Sequence, residues 1–213
     1  MIPRAKKNLH ECMYHLEKMI GATHLEDLEI SFAAFVNSAR SATFILQKEY
    51  KIENNFLNWY GDPDKYKDGR WTGKGLEPQT TKIYQMTHDE LCKFFVGLRN
   101  QITKEGINGF ICSTQITSFN SSKDLIDQPV GSSLQIGPNG MYYLIGVGTP
   151  QEDRIPARSH GVITTKVSIS NTPSIHLENL IPDDKKDIIN LSKMYYGYVK
   201  SIIEEWTGIL NQP

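Results

Sequence analysis

Residues 99–105 carry the side chains with the clearest capacity for chemistry, because Arg99, Asn100, Lys104 and Glu105 fall within two turns of one predicted helix. An arginine guanidinium is a planar fork that matches phosphate oxygens, and the amide and ammonium groups add hydrogen-bond donors. The carboxylate of Glu105 could take a proton from a reacting hydroxyl while Arg99 stabilises negative charge. A structural role also remains open, in which Arg99 ion-pairs across a bundle and Lys104 complements the C-terminus of the helix.

A second polar group lies in the middle of a long predicted helix, where Asn37, Ser38 and Ser41 surround Arg40. Asparagine and serine are poor residues inside a helix, so tertiary contacts should explain them. They form either a polar pocket shared with Arg99 or a buried hydrogen-bond network between closely packed helices. The candidate ligand-binding residues are therefore Asn37, Arg40, Arg99, Asn100 and Lys104.

Residues 61–80 interrupt the helical pattern with several glycines and prolines, which predicts a loop. Basic and aromatic residues alternate in this loop, a composition that can bind single-stranded nucleic acid. The acidic residues of the same loop equal its basic residues in number, which favours a solvated loop instead: the basic ones are Lys65, Lys67, Arg70 and Lys74, and the acidic ones Asp62, Asp64, Asp68 and Glu77.

The sequence predicts no metal site and no cofactor. Cys12, Cys92 and Cys112 are far apart, and no two of the six histidines have the spacing of metal ligands. The chain also lacks the G-x-S-x-G pattern of many hydrolases and the G-x-G-x-x-G pattern of dinucleotide-binding proteins.

Charge and hydropathy bound the partners and the location. The net charge is −1, so a phosphate-bearing partner would need a local basic patch rather than an overall basic surface. No apolar run approaches the roughly 20 residues of a membrane span, and the basic N-terminal segment lacks the apolar region of a signal peptide. With its unpaired cysteines, the chain is expected to be cytoplasmic.

Apolar residues at steps of three and four predict helices over five ranges. Thr87 and Glu90 match a capping box at the start of the fourth helix, and Asp183 is expected to cap the last one. The ranges are 4–20, 24–50, 52–60, 88–104 and 184–210.

Alternating apolar residues at 110–119 and 162–169, with a hairpin turn at 137–140, predict an antiparallel β meander over about 109–170. The predicted fold class is α+β: a mostly α-helical bundle with a small antiparallel meander inserted before the C-terminal helix. The predicted domains are a bundle formed by residues 1–108 and 183–213 and a β subdomain formed by residues 109–182.

The long helix that holds Asn37-Ser38-Ala39-Arg40, followed by a helix that ends Leu98-Arg99-Asn100, resembles the HEPN superfamily over about residues 4–105. Proteins of that superfamily are small helical bundles, often dimeric, and several are metal-independent ribonucleases or toxins. Their motif is an arginine, usually followed by a polar residue such as asparagine, then four to six residues and a histidine. Arg99 and Asn100 match the first half, whereas residues 104–106, where the histidine would fall, are Lys-Glu-Gly.

Three functional hypotheses follow. The first is a non-catalytic HEPN-like module that self-associates and binds nucleotide or RNA. The second is a metal-independent ribonuclease or toxin that uses Arg99 with Glu105, and the third is an accessory protein that acts only through contacts with a protein partner. A homo-oligomer is expected because large apolar residues are spread around more than one helix face. They include Phe56, Trp59, Tyr195, Tyr196, Tyr198 and Trp206.

Overall fold

Helices form both ends of the chain and strands form its middle. The computed structural model describes residues 3–22, 24–67, 70–105, 110–118, 123–137, 140–149, 151–159, 162–169 and 187–211. Within them the helices are α1 (Pro3–Gly21), α2 (Leu25–Tyr50), α3 (Asn54–Tyr60), α4 (Lys82–His88), α5 (Glu90–Glu105) and α6 (Ile188–Leu210). The strands are β1 (Tyr66–Lys67), β2 (Arg70–Trp71), β3 (Phe110–Ser118), β4 (Leu125–Ile126), β5 (Ser133–Gly137), β6 (Gly140–Ile145), β7 (Asp153–Pro156), β8 (Arg158–Ser159) and β9 (Val162–Ile169).

The helices share one hydrophobic core, as their apolar stripes predict. On α2, all the predicted stripe residues from Leu28 to Leu46 are fully buried, and only Leu25 at its start is exposed. Phe35 of α2 meets Phe95 of α5 edge-to-face at 6.0 Å, and Phe95 stacks on Tyr195 of α6 at 4.2 Å. Aromatic pairs of this kind add stability beyond the area they bury. These contacts fix the relative positions of α2, α5 and α6.

A second aromatic cluster, around Trp206 of α6, anchors the short helix α3. Phe56 packs edge-to-face on Trp206 at 5.0 Å and stacks on Tyr60 at 4.9 Å. Gly61 ends α3 with a φ of +95°, and a Cβ there would lie 2.5 Å from the side chain of Ile83. Because only glycine satisfies both conditions, α3 can turn directly against α4. Tyr60, the last residue of α3, lies beside α2, where its hydroxyl accepts from the Gln47 side chain at 2.6 Å.

The predicted fourth helix, 88–104, is confirmed as α5, and a separate short helix precedes it. α4 at Lys82–His88 was not predicted, and α5 begins at Glu90 after a break at Asp89. The predicted capping box at Thr87 is wrong: the Thr87 hydroxyl donates to the carbonyl of Tyr84 at 2.9 Å. The carboxylate of Asp89 instead accepts from the backbone N–H of Cys92 at 2.8 Å, which is the contact of an N-cap with the third residue of a helix.

We expect Asp89→Ala to lower the free energy of unfolding by about 0.5–2 kcal/mol, because it removes this N-cap bond. Thr87→Ala should lower the free energy of unfolding by less. The Thr87 hydroxyl contacts only the Tyr84 carbonyl of its own helical turn and the exposed ring of His88. Urea denaturation of both variants measures the difference. A larger loss in Thr87→Ala than in Asp89→Ala would restore Thr87 as the cap.

The segment at 61–80 is more ordered than the predicted loop. A 3₁₀ turn at Pro63–Lys65 leads into a short hairpin in which β1 pairs with β2. Within the hairpin, Tyr66 packs against Trp71 at 5.3 Å between ring centroids. The apolar contact explains why a segment rich in glycine and proline still turns back onto the helices.

The strands form small antiparallel sheets, but their order differs from the predicted single meander. Among the described strands, β5, β6 and β7 alone form a meander. β3 pairs along its length with β9, from Phe110 opposite Ile169 to Ser118 opposite Val162, and β4 pairs with β8. The hairpin is confirmed, since Gly137 lies opposite Gly140; residues 138–139 of its turn lie outside the described residues.

The C-terminal helix is confirmed, but its start is later than predicted. α6 begins at Ile188, and the carboxylate of Asp187 caps it by accepting from the N–H groups of Ile189 at 2.8 Å and Asn190 at 3.2 Å. The predicted cap, Asp183, lies outside the described residues. Among the helices that are described, none is long and apolar enough to cross a membrane.

Candidate functional site

A cavity of about 680 Å³ opens between α2, α4 and α5, against the segment that follows α3. Its volume lies within the usual range of small-molecule sites, about 300–1,000 Å³. We call it the large cavity. The described residues that line it are Arg40, Gln47, Tyr60, Pro63, Tyr66, Arg70, Ile83, Met86, Thr87, Cys92, Lys93, Val96, Arg99 and Asn100.

The packing of α2 on α5 explains why Arg40 and Arg99 line one cavity despite their distance in sequence. Phe35 and Phe95 hold the two helices together. Arg40 follows the buried Val36 by one helical turn, and Arg99 follows Phe95 by one turn. Both arginines therefore extend from the edge of the same packed interface, and both are half-buried.

The charge on the walls of the large cavity is positive. Its charged lining residues in the described chain are Arg40, Arg70, Lys93 and Arg99, and none of its described lining residues is acidic. Lys93 pairs with Glu90 at 2.7 Å. No carboxylate of the described residues lies within ion-pair distance of Arg40 or Arg99. Arg40 donates to the Thr43 hydroxyl at 3.3 Å and Arg99 to the Asn100 side-chain oxygen at 3.4 Å.

The deep wall of the large cavity is a hydrogen-bonded tyrosine. The Tyr60 hydroxyl lies 2.6 Å from the Gln47 amide nitrogen, which donates to it, and it faces the sulfur of Met86 at 3.5 Å. Burial raises the pKa of Tyr60 to about 12, although the nearby Arg40 guanidinium works in the opposite direction. Tyr60 is therefore neutral at physiological pH, and its fully buried hydroxyl holds the Gln47 side chain in place.

A second cavity, of about 230 Å³, is lined by the same two arginines. We call it the small cavity. Its described lining residues are Asn37, Arg40, Ser41, Phe44 and Arg99, so Arg40 and Arg99 line both cavities. Phe44 is 55% exposed, which is unusual for a phenylalanine in the middle of a long helix.

Of the residues singled out in the sequence, Arg40, Arg99 and Asn100 line the large cavity, and Asn37 lines the small one with the two arginines. Lys104 is exposed and is not among the residues that line either cavity. Glu105 is the last residue of α5, and its side chain lies outside the described part of the chain.

Several residues that line the large cavity were not predicted from the sequence, among them Gln47, Tyr60, Arg70 and Lys93. Gln47 and Lys93 carry no pattern that separates them from ordinary polar residues of a helix surface. Tyr60 could be recognised only as an apolar residue of a short helix. Arg70 lies in the 61–80 segment, where basic and acidic residues are equal in number, yet it lines the cavity. Equal numbers of charges do not show where each charge lies.

The chemistry of the large cavity is therefore suited to binding an anion with an apolar or aromatic part. Two titratable groups of its described walls, the Tyr60 hydroxyl and the Cys92 thiol, are poor proton donors near neutral pH, because burial raises the pKa of each. The described residues contain no group of three histidine, cysteine or acidic side chains placed to hold a metal ion.

No family model, no curated protein and no solved structure matches this chain.

Proposed function

We propose that the protein is a non-catalytic, HEPN-like helical module that binds a phosphate-bearing ligand, nucleotide or RNA, in the large cavity. The observation that carries the proposal is the meeting of Arg40 and Arg99 in a cavity that also includes Arg70 and Lys93, with no acidic residue among its described walls. The resemblance of residues 37–40 and 98–100 to the HEPN pattern supports the same site.

The electrostatics favour a bound anion. Two half-buried guanidinium groups without a carboxylate partner among the described residues repel each other, and the repulsion is stronger in a partly desolvated site than in water. A phosphate placed between them removes that repulsion and accepts charge-assisted hydrogen bonds from both forks. Because the whole chain carries a charge of only −1, this local field rather than the net charge would attract the ligand.

The apolar part of the cavity favours a ligand that is more than inorganic phosphate. Ile83, Met86 and Val96 line it together with the rings of Tyr60 and Tyr66. A nucleoside matches such a wall, since its base is a flat apolar ring with polar edges. Gln47 and Tyr60 offer hydrogen-bonding groups at the base of the cavity.

Thermal unfolding with added nucleotides or RNA tests binding directly. A ligand at about 100 times its dissociation constant should raise Tm by about 5–11 °C in a chain of this size. At the same ligand concentrations the Tm of Arg40→Ala and Arg99→Ala should rise by at most about half as much, because each variant binds the ligand more weakly. If no nucleotide or RNA raises the Tm of the unaltered protein, the accessory-protein hypothesis, in which only protein contacts matter, replaces this one.

We expect no efficient cleavage of RNA. Metal-free cleavage needs a base for the 2′-hydroxyl, an acid for the leaving oxygen and a cation for the phosphate. Arg99 could be the cation, but the described walls of the cavity include no histidine or acidic residue, and burial raises the pKa values of Tyr60 and Cys92. Mixed cellular RNA incubated without metal should therefore remain intact.

Cleavage that disappears in both Arg99→Ala and Glu105→Gln would overturn this expectation and support the ribonuclease or toxin hypothesis. Both variants must remain folded, which far-UV circular dichroism checks. Cleavage that persists in both variants would overturn the expectation as well, and a mock preparation without the protein, which should leave RNA intact, excludes a contaminating nuclease.

Self-association remains a prediction, but several of the large apolar residues on which it was based are not at the surface. Phe56, Tyr195 and Trp206 are buried within the chain's own core and are not available to a second copy. Exposed apolar residues do remain on α1, α2 and α6, such as Tyr14, Ile30 and Met194. We expect light scattering at tens of micromolar to give twice the 24.2 kDa of one chain. A mass of one chain at that concentration would show that these faces stay solvated.

A further inference from the structure

Arg40 and Arg99 line both cavities, and this shared wall bears on the kind of phosphate the site accepts. An anion held by both guanidinium groups would lie where the two cavities meet. A phosphate monoester has one organic substituent and would fill one cavity only. A phosphodiester has two organic substituents, and one of them could extend from the arginines into each cavity.

The sizes of the two cavities fit unequal parts of one ligand. The large cavity, at about 680 Å³, has room for a whole nucleoside. The small cavity, at about 230 Å³, is below the usual range for a separate small-molecule site. It is suited to one ring of a ligand whose remainder lies elsewhere.

The walls of the small cavity are suited to a nucleobase. Phe44 is 55% exposed, so it offers accessible aromatic surface to a stacking partner. Asn37 and Ser41 lie on the same helix, two turns and one turn from Phe44 respectively, and carry hydrogen-bond donors and acceptors for a base edge. Stacking of a base on an aromatic side chain does not depend on the base, so this wall would accept all four.

We propose that the ligand is a phosphodiester-linked pair of nucleotides, with its phosphate on Arg40 and Arg99, one nucleoside in the large cavity and the other base on Phe44. This inference rests on the proposed function, because it assumes that the arginines hold a nucleotide phosphate. It adds Phe44 as a residue that distinguishes a diester from a mononucleotide.

The test compares two ligands of equal charge by calorimetry: a dinucleotide with one phosphodiester, and the methyl ester of the corresponding nucleoside monophosphate. The unaltered protein should bind the dinucleotide about 5- to 150-fold more tightly, the range that stacking of one base provides. Phe44→Ala should weaken dinucleotide binding by a similar factor and change methyl-ester binding less than about twofold.

Ile30→Ala is the matched control, because Ile30 is 63% exposed on the same helix and lies outside both cavities. It should bind both ligands as the unaltered protein does. Equal affinities of the unaltered protein for the two ligands, or equal losses for both in Phe44→Ala, would overturn the inference. A Phe44→Ala variant that loses self-association but keeps its affinity for the dinucleotide would also overturn it, and would assign Phe44 to a contact between copies.

The outcome separates this inference from the proposed function. If the methyl ester binds and needs Arg40 and Arg99, but the dinucleotide binds no better, the proposed function stands and the inference fails. If neither ligand binds, both fail. Oligonucleotides of increasing length distinguish the two sources of the diester. An affinity that rises beyond two nucleotides indicates a nucleic-acid strand, and an affinity that does not rise indicates a free dinucleotide. In both cases the phosphate lies on Arg40 and Arg99 as proposed.

Discussion

Phe35→Ala is expected to lower the free energy of unfolding by about 3–5 kcal/mol, the cost of removing a fully buried phenylalanine. Phe35 is completely buried, and its ring meets Phe95 edge-to-face at 6.0 Å. The substitution would leave a cavity between α2 and α5 and remove an aromatic pair. Because the same contact holds Arg40 and Arg99 at one cavity, the variant should also lose ligand affinity.

Phe44→Ala provides a control of identical chemistry on the same helix, since Phe44 is 55% exposed. It should change stability by less than about 1 kcal/mol, as substitutions at exposed positions usually do. Urea denaturation, with the slope against urea compared between variants, gives both values. Equal losses in the two variants would mean that the buried face of α2 is assigned to the wrong residues.

Arg40→Ala and Arg99→Ala are each expected to weaken nucleotide binding by about 10- to 150-fold, which corresponds to the loss of hydrogen bonds to a charged group. Arg40→Lys and Arg99→Lys should recover only part of the affinity, because an ammonium keeps the charge without the bidentate fork. Calorimetric titration measures each affinity. The two losses should not be additive in the double variant, since both groups are expected to contact one phosphate.

Arg154→Ala is the matched control for charge. Arg154 lies on β7, where its guanidinium donates to the Tyr142 hydroxyl at 2.7 Å and packs on the Tyr142 ring. It should bind nucleotide with unchanged affinity at constant salt concentration. Equal weakening in Arg154→Ala would indicate that binding follows the total charge rather than the cavity.

The helices could be predicted from sequence because their apolar stripes are long and continuous. The stripe of α2, from Leu28 to Leu46, is buried as predicted. The helix boundary at Asp89 was not predicted because Thr87 and Asp89 are both good N-cap residues that precede a run of helix-forming residues. The bond from the Cys92 N–H to the Asp89 carboxylate identifies Asp89 as the cap. The pairing of β3 with β9 was missed because period-two patterns identify strands but not their distant partners.

The candidate site was predictable in part. Asn37, Arg40 and Arg99 could be singled out because polar residues beside an apolar stripe need a tertiary explanation, and the structure brings them to adjoining cavities. Gln47 and Tyr60 could not be singled out, since their contact depends on the connection at residues 51–53, which brings α3 back beside α2. A sequence pattern within one helix does not indicate a contact between two helices.

The central claim is that nucleotide binds at Arg40 and Arg99, and the most direct measurement is a titration of the side-chain N–H signals of arginine by nuclear magnetic resonance. The chain has only six arginines, so each Nε–Hε signal can be assigned with single substitutions. Added nucleotide should shift the signals of Arg40 and Arg99, with a smaller change at Arg70. The signals of Arg4, which pairs with Glu49, and of Arg154 should stay in place. Binding detected by calorimetry while the signals of Arg40 and Arg99 remain unchanged would contradict the account.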